Sequence, residues 1–389
     1  MPGFKSAVII TDAPLFHDPR SRRSMRLLKD LGYQVTVIDQ GVDPERSRNY
    51  LLPDVKLLSS PVPPGKIQRM LWHIDNRVNP LGAYNKRTMW YRFVLEKLQP
   101  SLIYNVNVFS LEAAALAADE LGVPFVYESY EYWPALLCAP EGRQPAVLIE
   151  RLLEVEKKYA PQACLMVSVS PYLAAQYQQE LDLEAEPLVL YSAPTEVTER
   201  IDDHAHVPLR LLFLGNLQPE RNIKLIFEAA AEVSDVDLTF RGDGDLKGWL
   251  DHEIMSRELS GRIHVVPPVP YEEVVRCSSE CDLGILAHTG KDIQLAGALP
   301  NKFFQYLAAG LAVIAPPTPA FQAFPEFDAF GRLLPDVSVE GLRSTLATLA
   351  TAPKRVEAMK QAARIAAKDY CGDTQESKLI QAIERIKWS

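Results

Sequence analysis

The sequence has 389 residues, of which 47% are hydrophobic and 23% are charged, with a formal net charge of −9. A globular chain of this length favours two domains, and its negative charge argues against a general nucleic-acid binder, which needs a basic surface. Its five cysteines include no C-x-x-C pair, so the pattern supports neither a disulfide scaffold nor a structural zinc site.

The chain opens with a β-α-β unit. Residues 7–11 are a short apolar strand, residues 21–31 a helix that ends at Gly32, and residues 35–39 a second strand. Two strands joined by a helix predict a parallel sheet. The loop after the first strand contains no G-x-G-x-x-G, which weighs against a dinucleotide-binding oxidoreductase.

Three arginines follow this first strand: Arg20, Arg22 and Arg23. Open α/β sheets bind their ligands at the carboxyl ends of the strands, so the cluster predicts an anion site there. The alternative interpretation is the solvated first turn of a helix. The residue types alone leave both interpretations open.

Residues 61–98 differ in composition, because cations there alternate with large apolar side chains: Lys66, Ile67, Arg69, Met70, Leu71, Trp72, Arg77, Lys86, Arg87, Trp90, Tyr91, Arg92 and Phe93. The mixture predicts either an amphipathic helix resting on anionic lipid or a helix that covers the sheet with its arginines in solvent. No apolar run approaches the ~20 residues of a membrane span, and the N-terminus lacks a signal peptide's apolar core. We therefore expect a cytoplasmic protein, peripheral to the inner face of the membrane under the first interpretation.

The first series of elements continues with strands and helices at 101–105, 111–121, 124–128, 150–159, 164–170 and 188–191. The charged, aperiodic residues that follow are predicted to link two domains. We thus expect an N-terminal domain over 1–195, a linker over 196–207, a C-terminal domain over 208–370 and a final helix over 371–389.

A second α/β series begins at residue 209. A strand ends in Gly215, and a loop with Arg221 leads into a helix at 223–233. Further strands are predicted at 236–241, 262–266 and 282–286. The first of them feeds a Gly-Asp-Gly turn, a weak signal because any tight turn uses glycine. Two such series predict an α/β protein with two Rossmann-like, doubly wound parallel sheets.

Residues 299–316 carry the most informative pattern. Pro300 suits the first turn of a helix, since its ring fixes φ and its missing N–H needs no partner there. Apolar residues recur at helical spacing, and Gly310 marks a left-handed helix end before a buried strand. Packing explains the apolar face but not Asn301 and Lys302 at the helix N-terminus, where backbone N–H groups attract anions.

This block resembles the L-P-N-K-[LF]-x-E-Y-x-A-A-G-x-P-V motif of the retaining glycosyltransferases of family four, in the LPNK-type subgroup. Residues 299–303 and 306–310 match, and the wider resemblance is strong over 209–316 and weak over 1–195. It implies a GT-B fold, in which two Rossmann-like domains face a cleft. It also implies transfer of a sugar from a nucleotide diphosphate sugar to an acceptor bound by the N-terminal domain.

The resemblance implies roles for individual residues. Arg221 and Lys302 match cations that meet the donor diphosphate, while Glu131 and Asn107 match catalytic positions on the acceptor side, although Glu131 could instead pair with an arginine. The nucleotide-sugar-binding positions, besides those two cations, are Gly215, Asn216, Gly242, Val266, Leu299, Pro300, Asn301 and Gln305. In the family, backbone groups near Val266 hold the nucleobase.

The chain departs from the family pattern at six positions, two of which are Asn216 in place of an arginine and Ser192 in place of an asparagine. Gln305 and Gly297 stand where many members have glutamate, Asn107 where histidine or aspartate is common, and Tyr130 where histidine is usual. Glutamine donates and accepts hydrogen bonds but carries no charge. The departures leave two alternatives open: a catalytically silent partner protein, or a sugar-nucleotide epimerase, which the carboxylate-poor loop before Pro300 disfavours.

We find no D-x-D motif in a loop suited to metal binding, so no metal is expected, and no cofactor besides the donor substrate. The charge of the departing nucleoside diphosphate would be met by Arg221, Lys302 and the backbone N–H groups around 300–302. In the retaining class, the leaving phosphate itself can deprotonate the acceptor hydroxyl. We expect a saccharide acceptor, lipid-linked as in polysaccharide or O-antigen assembly, and no nucleic-acid partner.

Overall fold

A computed structural model describes residues 5–41, 43–59, 79–138, 145–198, 204–288 and 293–386. The chain divides into two compact units: unit 1 is Met1–Leu190 with Glu376–Ser389, and unit 2 is Tyr191–Gln375. Lys66, Arg69 and Arg77 of the basic segment, and residues 199–203 of the predicted linker, lie outside the described residues. None of the helices within those ranges is long and apolar enough to cross a membrane.

Unit 1 contains a seven-stranded parallel sheet in the order β3-β2-β1-β4-β5-β6-β7. Its strands are β1 (Ser6–Thr11), β2 (Gln34–Asp39), β3 (Lys56–Ser59), β4 (Leu102–Val106), β5 (Phe125–Glu128), β6 (Leu165–Ser168) and β7 (Leu188–Val189). The chain builds outward from β1 to β3 and then returns to the other side of β1. The strand order therefore reverses between β1 and β4, the place where such sheets bind ligands.

The helices of unit 1 lie between successive strands. They are α1 (Pro19–Asp30), α2 (Pro44–Arg48), α3 (Pro80–Leu98), α4 (Leu111–Leu121), α5 (Trp133–Cys138), α6 (Ala146–Tyr159) and α7 (Pro171–Glu180). Helix α1 starts two residues before the predicted start, because the Asp18 side chain caps it by accepting from the Arg20 and Ser21 backbone N–H groups. Gly32, with φ of 81°, ends it as predicted.

Unit 2 contains a six-stranded parallel sheet in the order β10-β9-β8-β11-β12-β13. Its strands are β8 (Leu209–Leu214), β9 (Val236–Arg241), β10 (Ile263–Val266), β11 (Leu283–Ile285), β12 (Ala312–Ala315) and β13 (Gly331–Leu333). Here the order reverses between β8 and β11. The two parallel sheets, with helices between successive strands, confirm the predicted α/β class with two Rossmann-like units.

The described residues after 191 form the helices α8 (Ile223–Ala231), α9 (Lys247–Ser256), α10 (Val274–Ser278), α11 (Ile293–Gly297), α12 (Asn301–Ala308), α13 (Pro319–Gln322), α14 (Phe327–Phe330), α15 (Val339–Ala350), α16 (Pro353–Tyr370) and α17 (Asp373–Glu384). Short 3-10 turns lie at Leu15–His17, Val108–Ser110, Ala160–Gln162, Pro219–Arg221 and Tyr271–Glu273. Each unit has its own apolar core. Leu379, Ile383 and Ile386, at the end of the chain, pack into the core of unit 1.

Candidate active site

Helix α12 carries the most distinctive sequence block to the edge of the unit 2 sheet. Pro300 is the N-cap, with φ of −70° and ψ of 153°, and the helix begins at Asn301. The prediction that Pro300 forms the first helical turn is therefore wrong by one residue, because its extended ψ leaves it outside the helix. Its carbonyl oxygen still accepts the first hydrogen bond, from the Phe303 N–H at 2.9 Å. Gly310, with φ of 72°, provides the predicted left-handed end.

The apolar face of α12 is fully buried, as predicted. The ring of Phe303 lies 4.9 Å from Phe304, 5.2 Å from Phe321 and 4.9 Å from Phe324, mostly edge to face. Such aromatic contacts add to the stabilisation from apolar burial. They anchor the helix, so its first turn is held rigidly at the sheet edge.

Tyr306 fixes the position of α12 against the reversal point of the sheet. Its hydroxyl accepts from the Leu214 N–H at 3.1 Å and donates to the Ile285 carbonyl at 3.3 Å. Leu214 ends β8 and Ile285 ends β11, so one hydroxyl joins the two strands on either side of the reversal. Gly284 leaves room for this ring, because a Cβ there would lie 2.3 Å from it.

Lys302 lies directly beside the end of β8. Its Nζ sits 4.5 Å from the centroid of Phe213, and a Cβ on Gly215 would lie 2.6 Å from that Nζ. Gly215, with φ of 114°, adopts a backbone conformation that few other residues tolerate. Burial, reinforced by the charge of Arg221, lowers the pKa of Lys302 from 10.5 to about 7. A nearby anion would therefore stabilise the charged form of Lys302.

His288 joins this cation from the end of β11. The side chain is 8% exposed, and its Nε2 has no hydrogen-bond partner among the residues described. Burial, then the charges of Arg221 and Lys302, lower the pKa of His288 from 6.5 to about 4. A neutral imidazole thus lies within the field of two cations at the reversal point, which we call the cationic edge (Arg221, His288 and Lys302).

The loop after β8 is tied to the same place. Asn222, with φ of 54°, donates from its side-chain amide to the Ala287 carbonyl at 2.5 Å. Arg221, the residue before it, is exposed, as is Asn216. The predicted donor-binding residues Arg221, Lys302 and Gly215 thus meet at one edge, while their roles in binding remain predictions.

The other predicted nucleotide-binding positions lie along the same edge. A Cβ on Gly242 would lie 1.9 Å from the Gly215 carbonyl oxygen, so glycine is required there. The carbonyl of Val266 accepts from the Gly242 N–H at 3.0 Å. Leu299 is buried at 3% exposure and Gln305 at 8%. The nucleobase contact near Val266 and the donor contacts of Leu299, Asn301 and Gln305 stay predictions.

The turn after β9 corrects one statement of the sequence analysis. Asp243 and Asp245 flank Gly244, which is a D-x-D spacing in a loop at the sheet edge. Asp243 is exposed and accepts from the Gly244 N–H at 2.9 Å, so it caps its own turn. No group of three metal-ligating side chains occurs within the described ranges. Metal independence stays a prediction.

The reversal point of unit 1 holds a second set of polar groups. Thr11 of β1 pairs in register with Val106 of β4, so the next residues, Asp12 and Asn107, leave the sheet side by side. The Asn107 amide donates to the Tyr130 hydroxyl at 2.7 Å. Asn107 has φ of 76° and ψ of 166°, a region that is essentially restricted to glycine and costs about 1–3 kcal/mol.

Glu131 follows Tyr130 in the loop after β5. Its carbonyl oxygen accepts from the Tyr177 hydroxyl at 2.8 Å and from the Ser129 hydroxyl at 2.9 Å. Burial raises the pKa of the Glu131 carboxyl above its usual value, and the charge of Arg20 opposes that rise. Glu131 therefore has the arginine neighbour that the sequence analysis left open, and its catalytic role stays a prediction.

The arginine cluster predicted after β1 does not form a shared site. The Arg20 guanidinium lies 4.2 Å from the ring centroid of Tyr130, whereas that of Arg22 lies 4.7 Å from Tyr50. Arg23 is buried and pairs with the Glu128 carboxylate at 2.7 Å. Arg20 and Arg23 are three residues apart and lie on one face of α1, where they meet different partners, while Arg22 lies on another face.

Comparison with known proteins identifies the class. Residues 18–193 match the family model of a glycosyl transferase 4-like domain, and residues 198–366 match that of glycosyl transferases group 1. A stretch of 176 residues is 26% identical to the amylovoran biosynthesis glycosyltransferase AmsK of Erwinia amylovora, covering 44% of this chain and 43% of AmsK. The match therefore spans less than half the length of this relative.

Solved structures agree over nearly the whole chain. Sucrose-phosphate synthase from Thermosynechococcus elongatus gives a TM-score of 0.75 at 14% identity over 98% of both chains. HepE from Anabaena in complex with UDP gives 0.69 at 13% identity, over 97% of this chain and 99% of HepE. HepE in complex with UDP-glucose gives 0.67 at 14% identity with the same coverage, 97% and 99%. These likenesses confirm the predicted GT-B fold.

The chain therefore has the GT-B fold, and its two halves match two different glycosyltransferase family models. It combines an N-terminal glycosyl transferase 4-like domain with a C-terminal group 1 domain. Two polar residues at the sheet edges, Asp12 and His288, were missed as candidates in the sequence. Asp12 directly follows β1 and His288 lies three residues after β11, but only the strand order reveals that these strands flank the reversal points.

Proposed function

We propose that this protein is a retaining, metal-independent glycosyltransferase of the LPNK-type subgroup that moves a hexose from a nucleotide diphosphate sugar to a saccharide acceptor. The observation that carries the proposal is the cationic edge of unit 2. Burial and, after it, the positive charge of Arg221 lower the pKa of Lys302, so the charged lysine is repelled by that arginine. A bound diphosphate would relieve that repulsion, because phosphate oxygens accept charge-assisted hydrogen bonds from both groups.

The chemistry asks for stabilisation of a departing nucleoside diphosphate. As the anomeric C–O bond breaks, negative charge grows on the leaving phosphate, and preorganised cations stabilise it most effectively. Lys302 is held by a rigid helix and Gly215 leaves it room, so little reorganisation is required. His288, neutral in the free protein, could donate a further hydrogen bond to the same phosphate.

Uridine diphosphate sugars are the first donors to test, because HepE has been solved with UDP and with UDP-glucose. The donor experiment is a thermal-shift panel of UDP, GDP, ADP and their glucose conjugates on the full chain. A ligand that binds the native state at about 100 times its Kd stabilises it by about 2.7 kcal/mol. A clear rise in Tm with at least one diphosphate is expected, and no shift with any of them would overturn the proposal.

Retention and metal independence need separate measurements. With an active donor and acceptor in hand, proton NMR of the first product should show the same anomeric configuration as the donor. The rate should be unchanged by excess EDTA. An inverted product would remove the retaining assignment, and a rate that EDTA abolishes and Mg²⁺ restores would remove metal independence, in each case without affecting the transferase assignment.

For the acceptor, we propose a lipid-linked saccharide approached at the cytoplasmic face of the membrane, as in the assembly of surface polysaccharides. AmsK is a glycosyltransferase of amylovoran biosynthesis, which favours a comparable assembly role. Helix α3 of unit 1 supplies the physical support. Met89 and Phe93 are 69% and 56% exposed, and exposed Lys86 and Lys97 continue the same helical stripe.

A catalytically silent partner protein was the main alternative to an enzyme. Two of the departures from the family pattern, Asn107 and Tyr130, hydrogen-bond to each other at 2.7 Å. A pair of substituted residues that contact each other points to a rebuilt site rather than a decayed one. This contact favours the active enzyme.

A further inference from the structure

The reversal point of unit 1 places unsatisfied oxygen atoms side by side. Asp12 and Asn107 directly follow the paired residues Thr11 and Val106, and neighbouring strands lie about 4.8 Å apart. Both carboxylate oxygens of Asp12 and the amide oxygen of Asn107 are buried without a hydrogen-bond partner among the described residues. Buried acceptors of this kind are unfavourable unless a ligand or water completes them.

Neighbouring carboxylates show that Asp12 is unusual for this sheet edge. Asp18 accepts from the Thr11 hydroxyl at 2.6 Å and caps helix α1, while Asp39 accepts from Ser47 at 2.6 Å and Ser59 at 2.8 Å. Those two groups have structural partners. For Asp12, in contrast, no donor among the described residues makes a hydrogen bond to either carboxylate oxygen.

The charges around Asp12 are mixed. Burial raises the pKa of the Asp12 carboxyl to about 7, with a smaller contribution from the charge of Asp18, while Arg87 of helix α3 and the backbone N–H of Phe109 oppose the rise. The Nε of Arg87 is itself buried without a partner within the described part of the chain. A cation-binding site is disfavoured by the arginine, and an anion is disfavoured by the carboxylate.

Asn107 adds evidence that this edge is built for binding. Its strained backbone is held by the Asn105 amide, which donates to the Asn107 carbonyl at 2.7 Å, and by Ser110, which donates to the Asn105 side chain at 2.7 Å. Strain of this kind persists only where the surroundings enforce it, and it concentrates at functional sites. The enforced conformation directs the Asn107 side chain to the Tyr130 hydroxyl.

We propose that Asp12 is an acceptor-binding residue whose carboxylate accepts hydrogen bonds from two neighbouring hydroxyls of a pyranose ring, with Asn107 accepting from the same sugar. This inference rests on the proposed function, because it assigns the saccharide acceptor to unit 1. Adjacent carboxylate and amide oxygens match the hydroxyl pattern of a sugar, which offers several donors in one plane. Arg87 supplies the complementary donor.

The test compares wild type with Asp12→Asn, which preserves size and removes the charge. Binding of methyl α-glucopyranoside, methyl α-galactopyranoside and methyl α-mannopyranoside is followed by saturation-transfer NMR on the full chain. At pH 8, at least one glycoside should bind wild type, and Asp12→Asn should weaken that binding tenfold or more, since hydrogen bonds to charged groups are the strong ones. Asp30→Asn, at the exposed end of α1, is the matched control and should bind as wild type.

The pH dependence and the stability of the variant give an independent readout. Asp12 is protonated in the folded protein up to about pH 7 but ionises near its usual 3.8 when unfolded. Its ionisation therefore opposes folding, and this destabilisation grows as pH rises from 4 to 7. Asp12→Asn should raise Tm at pH 8 more than at pH 4.5, whereas a structural role would lower Tm in the variant.

UDP binding separates this inference from the proposed function. Asp12→Asn should keep the Tm shift of wild type with UDP while losing the glycoside. Glycoside binding equal in wild type and variant, or absent from wild type, would overturn the inference and leave the donor site standing. A protein that binds the glycosides through Asp12 but no nucleoside diphosphate would instead uphold the sugar site and reject the proposed transferase donor.

Discussion

The two parallel sheets reverse their strand order in the same way, yet their edges carry opposite chemistry. In unit 2, Arg221 and Lys302 gather around a neutral His288, so that edge is rich in cations. In unit 1, Asp12 and Asn107 present buried oxygen atoms that accept no hydrogen bond from the part of the chain that the structure describes. If both proposals hold, the same backbone topology serves a phosphate group at one edge and sugar hydroxyls at the other.

The contrast teaches that topology decides where a ligand binds and the residues after the strands decide which ligand. Both edges place two adjacent strand ends together, as open α/β sheets generally do. Burial then acts on whatever side chains stand there, lowering the pKa of Lys302 and raising the pKa of Asp12, each to about 7. The ligands we propose are a phosphate group for the edge of unit 2 and sugar hydroxyls for the edge of unit 1.

The largest effect is expected from removing the cation of unit 2. Lys302→Ala should weaken UDP binding by about 10- to 100-fold, because a charged hydrogen bond is worth about 1.5–3 kcal/mol. Isothermal titration calorimetry at pH 7 measures the change, with uridine as a ligand that should be affected little. Lys224→Ala, which removes an exposed lysine lying over the Trp249 ring, is the matched control and should leave the Kd unchanged.

If Lys302→Ala and wild type bind UDP equally, Lys302 does not contact the diphosphate and the assignment of the cationic edge as a phosphate site is wrong. Equal loss for UDP and uridine would indicate a general disturbance of helix α12 rather than a lost phosphate contact.

A somewhat smaller effect should appear as a pH dependence of donor binding. Lys302 has a pKa of about 7 in the free protein, and a bound diphosphate raises that pKa by stabilising the ammonium. Below pH 7 the lysine is already charged, so affinity changes little on its account. Above pH 7 binding requires proton uptake, and the Kd for UDP should rise by up to about tenfold per pH unit.

The matched variant for this pH series is Lys302→Arg, because a guanidinium stays charged throughout the range. Its Kd should be nearly constant from pH 7 to 9, whatever its absolute value. A wild-type profile as flat as that of the arginine variant would contradict the assignment of the titration to Lys302.

A moderate effect on the stability of the protein is expected from substitutions of Asn107 in unit 1. Asn107→Gly removes a backbone strain of about 1–3 kcal/mol, offset in part by the lost hydrogen bond to Tyr130. Asn107→Ala loses the same hydrogen bond and keeps the strain. Calorimetry should therefore give a higher Tm for the glycine variant than for the alanine variant, and the reverse order would show that the strain is absent.

The smallest effect concerns the outer face of helix α3. Each cation near an anionic surface contributes about 1 kcal/mol, so the described Lys86 and Lys97 support only weak docking. Sedimentation with phosphatidylglycerol vesicles at low salt should show partial binding, and neutral phosphatidylcholine vesicles should show none. Met89→Ser with Phe93→Ser should reduce the bound fraction several-fold, because both side chains are exposed.

Raising the salt to a few hundred millimolar should release the protein, since screening shortens the reach of the cations. The exposed pair Met255→Ser and Ile365→Ser, which lies in unit 2, is the matched control. A wild type that stays in the supernatant at low salt would contradict membrane contact through α3.

Much of the fold was open to prediction because its signals are local. The buried face of α12 follows from the spacing of Phe303, Phe304 and Leu307. Gly310 ends the helix in the left-handed conformation that glycine favours, which can be predicted from the local sequence. Pro300 was misplaced by one residue, since its φ suits both the N-cap and the first helical position. Helix boundaries generally carry this uncertainty.

The candidate site was predictable only where family motifs mark it. Lys302, Arg221 and Gly215 were found from the resemblance, whereas Asp12 and His288 were not. The residues next to Asp12 do not indicate that β1 lies beside β4, because that pairing joins positions about a hundred residues apart in the sequence. Long-range pairing of this kind is what a single sequence conveys least.

The return of the chain to unit 1 has a consequence for the order in which the two units can fold during translation. Unit 2 is one continuous insertion, Tyr191–Gln375, whereas the core of unit 1 includes Leu379, Ile383 and Ile386 from the far end of the chain. On the ribosome, the domain that is started first therefore lacks part of its interior until residues 379–386 have been synthesised. The nested domain can mature earlier, so a premature stop shortly before residue 379 would leave a finished insertion attached to an unfinished host.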